Sequence, residues 1–145
     1  MKSSIVFFDS FENSKKGTLR GLVIFPIYII LTLIWFYFTK KTIYDKSIDD
    51  VDKYRLYVSL GISALIIVSA IGVHTPNTTK KAIFYAGSIG LIIYTFRNAT
   101  LLSSSNKWGY GISVIDTTWG VISSALLGFI LYKVVESYPS TFAAL

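Results

Sequence analysis

Two side chains in this sequence stand out as candidates for chemistry, because each lies where its charge is costly. Arg97 lies within AIFYAGSIGLIIYTFRNATLL, and Asp116 lies within ISVIDTTWGVISSALLGFILY. A charge at the centre of an apolar span costs roughly 2.5–3.5 kcal/mol on insertion scales. It is kept only where it has a partner, a wet cavity or a route to the membrane surface. Acid–base catalysis at Asp116 would need a second acid, a base or a nucleophile within reach, and no such residue occurs at a suitable spacing. The chain has no cysteine and a single histidine. Thiolate chemistry, disulfides and sulfur-ligated metals are therefore excluded. His74, beside Pro76 at a turn, cannot build a metal site alone. Asp45, Asp49, Asp50 and Asp52 lack the ligand spacing of a calcium loop and read as a solvated cluster. The expectation is no metal, no cofactor and no enzymatic activity.

The elements that hold these two charges are apolar and long. Of the 145 residues, 52% are hydrophobic, 16% aromatic and 15% charged. Soluble domains carry about 25% charged residues, so bilayer is the expected solvent. The predicted fold is all-α: an integral membrane four-helix bundle with four transmembrane spans and both termini on one side. The spans are expected at about 21–38, 57–73, 82–102 and 112–132, each close to the roughly 20 residues that cross a bilayer. Residues 1–20 are expected as an extramembrane tail and 134–145 as a second one. The first twenty residues show no signal-peptide pattern, so targeting falls to the first span.

Pro26 lies early in that span, where neighbouring helices absorb the missing hydrogen bond. Trp35, Tyr37, Lys40 and Lys41 mark its exit to water. Threonine or asparagine in HTPNTTKK is a natural cap for the third span. Gly87 and Gly90 in that span, with Gly120, Ser124 and Gly128 in the next, give small-residue faces for close helix packing. The net charge of +6 is spread between apolar runs, as for anchors at headgroups. It forms no dense basic face, so nucleic acid is not an expected partner. Lysine and arginine divide almost evenly between the two faces, which leaves orientation open; termini in the cytoplasm are the working assignment.

Antiparallel spans bring Arg97 and Asp116 to the same depth. Each lies about four to six residues from its helix end, roughly 6–9 Å below one membrane face. The spacing predicts an Arg97–Asp116 ion pair with Asn98, Tyr94, Trp35, Trp108 and Trp119 around it. The alternative is that Arg97 snorkels to the headgroups and the two never touch. A pair can serve as a clamp fixing the register of two helices. The same groups can instead line a pocket around Asp116 for a lipid headgroup or small polar ligand, as in a small membrane enzyme or carrier. Half-helices, inverted repeats and a polar track across the bilayer, the marks of a transporter, are absent from the sequence.

At these residues the chain resembles the four-span membrane proteins catalogued as domain of unknown function 2177, found in bacteria and some large DNA viruses. The resemblance covers about residues 22–133. It is carried by Trp35 and Tyr44, then GLIIYTFRNAT, Trp108, and VIDTTWG with Asp116, Trp119 and Gly120. Where the family pattern has further acids, this chain has Thr32 and Asn98; Leu101 stands for an asparagine and Arg97 for an aromatic. The resemblance implies a fold and not a reaction, and Arg97 then reads as a new partner for the one remaining acid. With the viral branch in view, the expected function is structural. The chain is read as a minor capsid or membrane-anchoring protein that links shell to internal membrane in a virion. Its expected partners are the bilayer and other capsid or membrane proteins, met through residues 1–20 and 40–53.

Overall fold

The structure is a computed structural model. It describes the backbone of residues 2–47, 50–74 and 76–139, and the side chains of 17–46, 54–74 and 76–139. Four long helices make up the described chain: α1 (Lys2–Thr39), α2 (Asp50–Val73), α3 (Thr79–Ser104) and α4 (Tyr110–Ser137). No strand occurs among the described residues. The all-helical class follows directly from runs of Leu, Ile, Phe and Ala with few internal breakers.

Two boundaries differ from the sequence expectation. The backbone of residues 2–20, expected as an extramembrane tail, is helical, because α1 begins at Lys2. Its sequence has no proline, and its one glycine is Gly17. A helix nucleated in the apolar stretch propagates cheaply into such a segment, since each added residue gains a hydrogen bond. The expected loop after the first span is also largely helical. Residues Lys40–Tyr44 form one π-helical turn, with the Asp45 N–H reaching back five residues to the Lys40 carbonyl, and a single α turn, Asp45–Ser47, follows. Helix α2 then starts at Asp50 rather than near 57. The expected docking side chains of residues 1–16 and 47–53 lie outside the described residues, as does the end of the C-terminal tail.

Helix α3 is capped by Thr78, whose hydroxyl accepts the Lys81 N–H at 3.3 Å. This satisfies one of the donors left free at a helix start. The most extensive packing is between α3 and α4, followed by α1 against α2, with α2–α3 and α1–α4 contacts joining the two hairpins. Backbones approach closely where side chains are absent. A Cβ at Gly90 would collide with the Gly120 carbonyl, and one at Gly128 would meet the Ala82 carbonyl and the Ala86 methyl. A third such crossing joins α1 to α2, where a Cβ at Gly72 would lie 2.6 Å from the Gly17 carbonyl.

The bundle core contains Ile24, Tyr28, Ile67, Ile71, Tyr94, Leu127 and Leu131, and a second cluster contains Tyr44, Leu56, Leu101 and Trp108. The outside is apolar as well: Leu33, Leu65, Ile92, Phe96, Val114 and Ile122 are all more than 50% exposed. Side chains of this kind all around a bundle match lipid rather than water. Among the described residues, three stretches are long and apolar enough to cross a membrane: Gly17–Tyr44, Tyr54–Val73 and Tyr110–Ser137. Helix α3 is not among them. Arg97 and Asn98, side by side within it, lower its hydropathy.

Candidate functional site

One end of the bundle gathers the polar side chains. Asp116 lies on the second turn of α4, and Arg97 and Asn98 lie two turns before the end of α3. Trp108 belongs to the short turn that joins these helices, and its amide donates to the Ser105 carbonyl at 3.4 Å. Tyr44 closes the π-helical turn that follows α1. Local structure thus delivers five residues from four places to one end of the bundle.

Asp116 is that point. Its Oδ2 accepts the Arg97 Nη2 at 2.5 Å and the Asn98 Nδ2 at 2.9 Å. Its Oδ1 accepts the Tyr44 hydroxyl at 2.8 Å. The carboxylate is 2% exposed and Arg97 is 4% exposed. Asn98 is held in turn by the Trp108 indole, which donates to its Oδ1 at 3.1 Å, while its amide also reaches the Tyr94 carbonyl and the Thr117 hydroxyl. The Trp35 indole donates to the Tyr44 oxygen at 3.1 Å. Charge-assisted hydrogen bonds of this kind are about twice as strong as neutral ones.

Aromatic rings enclose the charges. Trp35 and Trp119 stack with centroids 4.7 Å apart and planes 4° from parallel. The Arg97 guanidinium lies 4.6 Å from the Tyr94 ring centroid, a cation–π contact that offsets part of the desolvation cost. The Tyr94 hydroxyl pairs with that of Tyr28 at 2.9 Å. Arg97 nevertheless keeps two buried donors, Nε and Nη1, without a hydrogen-bond acceptor.

All seven residues of the expected polar cluster therefore meet: Arg97, Asp116, Asn98, Tyr94 and Trp108 in direct contact, Trp35 through Tyr44, and Trp119 through its stack on Trp35. The alternative in which Arg97 snorkels outward is overturned by its burial against Asp116. Of the small residues, Gly90, Gly120, Ser124 and Gly128 lie at the α3–α4 crossing. Gly87 has only ordinary contacts, with a Cβ there 3.5 Å from the Ala125 methyl. Three participants were not foreseen. Tyr28 and Thr117 gave no signal in the sequence. Tyr44 did, through its fixed place after Trp35. The Gly17–Gly72 crossing also had a signal, the GTLRG pair of glycines four apart, which was hidden by reading residues 1–20 as a tail.

Chemically, this is a neutralised and closed arrangement. Both carboxylate oxygens are used by protein donors, and among the described residues no group of three His, Cys, Asp or Glu could hold a metal ion.

The model of a family described as "Predicted membrane protein (DUF2177)" matches residues 18–133. No curated protein and no solved structure matches the chain. The match spans most of the chain, which therefore belongs to this membrane protein family.

Proposed function

We propose that this family member is a four-span membrane bundle with a structural, anchoring role and no catalytic activity, its buried charges acting as a clamp between helices. The observation that carries the proposal is the saturation of Asp116. An acid that works on a substrate must be reachable by it, whereas this carboxylate is spent on Tyr44, Arg97 and Asn98. The clamp joins α4, α3 and the turn after α1, and so ties the two hairpins at one end.

Support for a fourth span comes from α3 itself. Its 26 residues measure about 39 Å at 1.5 Å each, more than the ~30 Å of hydrocarbon. Its one internal charge is neutralised within the bundle. Four spans put both chain ends on one side. Single-cysteine variants test this without interference, since the chain has no cysteine. Lys40→Cys and Lys107→Cys are expected to react with an impermeant maleimide from one side, and His74→Cys and Glu136→Cys from the other. Labelling of His74→Cys and Lys107→Cys from the same side overturns the fourth span.

The anchoring role is proposed more specifically as that of a minor capsid protein linking the shell of a large DNA virus to its internal membrane. Support comes from the helix that runs from Lys2 into the family-matched region and forms a stiff arm for docking. Mass spectrometry of purified particles, with and without detergent stripping, is expected to find the chain in the membrane-bearing particle alone. Its absence from particles and presence in membranes of uninfected cells overturns this role.

A further inference from the structure

The seam between α2 and α3 opens into a cleft of about 420 Å³, within the roughly 300–1,000 Å³ typical of small-molecule sites. Its lining changes with depth. Ser59 and Ser63 on α2, with Thr100 and Ser104 on α3, lie towards the end of the bundle that holds Asp116, and Ile66, Ile93 and Phe96 lie deeper.

Ser63 is the residue that asks for a ligand. It is 5% exposed. Its hydroxyl has no hydrogen-bond partner among the described residues, and the little surface it keeps is in the cleft it lines. The other three hydroxyls are satisfied by their own helices. Ser59 donates to the Leu56 carbonyl at 3.0 Å, Thr100 to that of Phe96 at 3.0 Å and Ser104 to that of Leu101 at 3.5 Å. A buried hydroxyl left unpaired is costly, so Ser63 calls for an acceptor that enters from outside the chain.

Charge decides what kind of acceptor. Both cations in the lining are already engaged, Arg97 by Asp116 and Arg55 in an interaction of its own. The cleft therefore holds no spare charge for an anion. Ser63 lies nine residues after Tyr54, where the apolar stretch of α2 begins, roughly 14 Å along the axis. A phosphate at that depth would lose its water at a large cost, whereas a neutral oxygen loses little.

We propose that this cleft binds a neutral glycerolipid, an ester or glycerol oxygen accepting the Ser63 hydroxyl and one acyl chain lying along Ile66, Ile93 and Phe96. Ser59 and Thr100 meet the remaining glycerol oxygens, since rotation about χ1 redirects each hydroxyl. Ile66 and Phe96 are also exposed on the outside of the bundle, so the chain enters sideways from the bilayer.

The test uses the full chain in phosphatidylcholine nanodiscs. A monoacylglycerol with a diazirine near the end of its chain is added and irradiated, and the labelled peptides are mapped by mass spectrometry. Label is expected on α2 and α3 around Ile66, Ile93 and Phe96, with protection by unlabelled dodecanoylglycerol. Dodecane, which has no acceptor, and dioctanoyl phosphatidylglycerol, which is anionic, are expected to protect at least about fivefold less well, the worth of one neutral hydrogen bond. Ser63→Ala removes the donor with almost no change of volume and is expected to raise the half-protecting concentration of dodecanoylglycerol about fivefold. Ile62→Trp narrows the cleft and is expected to abolish the label. Unchanged far-ultraviolet dichroism in both variants excludes unfolding as the cause.

Label spread evenly over outward residues such as Leu33 and Ile122 overturns the proposal, because it marks ordinary bilayer contact. So does equal protection by dodecane or by phosphatidylglycerol, or an unchanged half-protecting concentration in Ser63→Ala. The inference rests on α3 crossing the bilayer, and the cysteine labelling above separates the two failures: a spanning α3 without selective protection sinks this proposal alone.

Discussion

Replacing Asp116 by asparagine removes one charge and almost no volume, and its cost follows from the contacts. The introduced amide can place its carbonyl where Oδ2 now accepts Arg97 and Asn98. Its NH2 then faces the Tyr44 hydroxyl, which must accept instead of donate and already accepts from Trp35. Most hydrogen bonds survive in altered form. What does not survive is neutrality, because Arg97 at 4% exposure is left as an unpaired buried cation. Removing one partner of a buried pair costs about 3–5 kcal/mol. Unfolding of Asp116→Asn in mixed micelles, followed by far-UV circular dichroism, is expected to show a loss of that size. The double variant with Arg97→Met is expected to cost about 0.5–3 kcal/mol less than the sum of the two single losses, the range of coupling between contacting groups. A loss below about 1 kcal/mol for Asp116→Asn, or a double variant that costs the sum of its parts, would refute the clamp.

Two further outcomes are expected from the same assay. Tyr44→Phe deletes the donor to Oδ1 and the acceptor for the Trp35 indole, and is expected to cost about 1.5–3 kcal/mol, the value of a hydrogen bond to a charged group; a change near zero would mean that water or another side chain already fills the place. Gly90→Ala puts a methyl group against the Gly120 backbone and Ser124 and is expected to destabilise by about 1–3 kcal/mol. By contrast, Gly61→Ala meets nothing within 4 Å and is expected to be neutral or to stabilise by about 0.5–1 kcal/mol.

The meeting of Arg97 with Asp116 was legible because helix rise alone gives depth, and equal depths on consecutive antiparallel helices make neighbours. Asn98, one residue after Arg97, and Trp108, in the adjoining turn, could hardly lie elsewhere. Tyr44 was not legible by the same arithmetic. Nine residues after Trp35, at about 100° each, an α-helix would put it on the opposite side. The π-helical turn at Lys40–Tyr44 winds by less per residue and swings it back towards Trp35. Such turns recur at functional sites, but no residue type announces one. The helical start at Lys2 was missed for a different reason. Residues 1–20 were read only as an extramembrane tail with no helix assigned, although Lys, Glu and Ser tolerate a helix well once an apolar stretch has nucleated it.

The stacked indoles of Trp35 and Trp119 give the chain a built-in optical signature. Its three tryptophans are Trp35, Trp108 and Trp119, and every one of them sits at this end of the bundle. Two parallel indoles 4.7 Å apart couple their electronic transitions and quench one another. The tryptophan part of the near-ultraviolet dichroism and of the intrinsic emission therefore comes from a single neighbourhood. Anything that parts the first helix from the fourth there will brighten the emission and flatten the dichroism, with no dye attached.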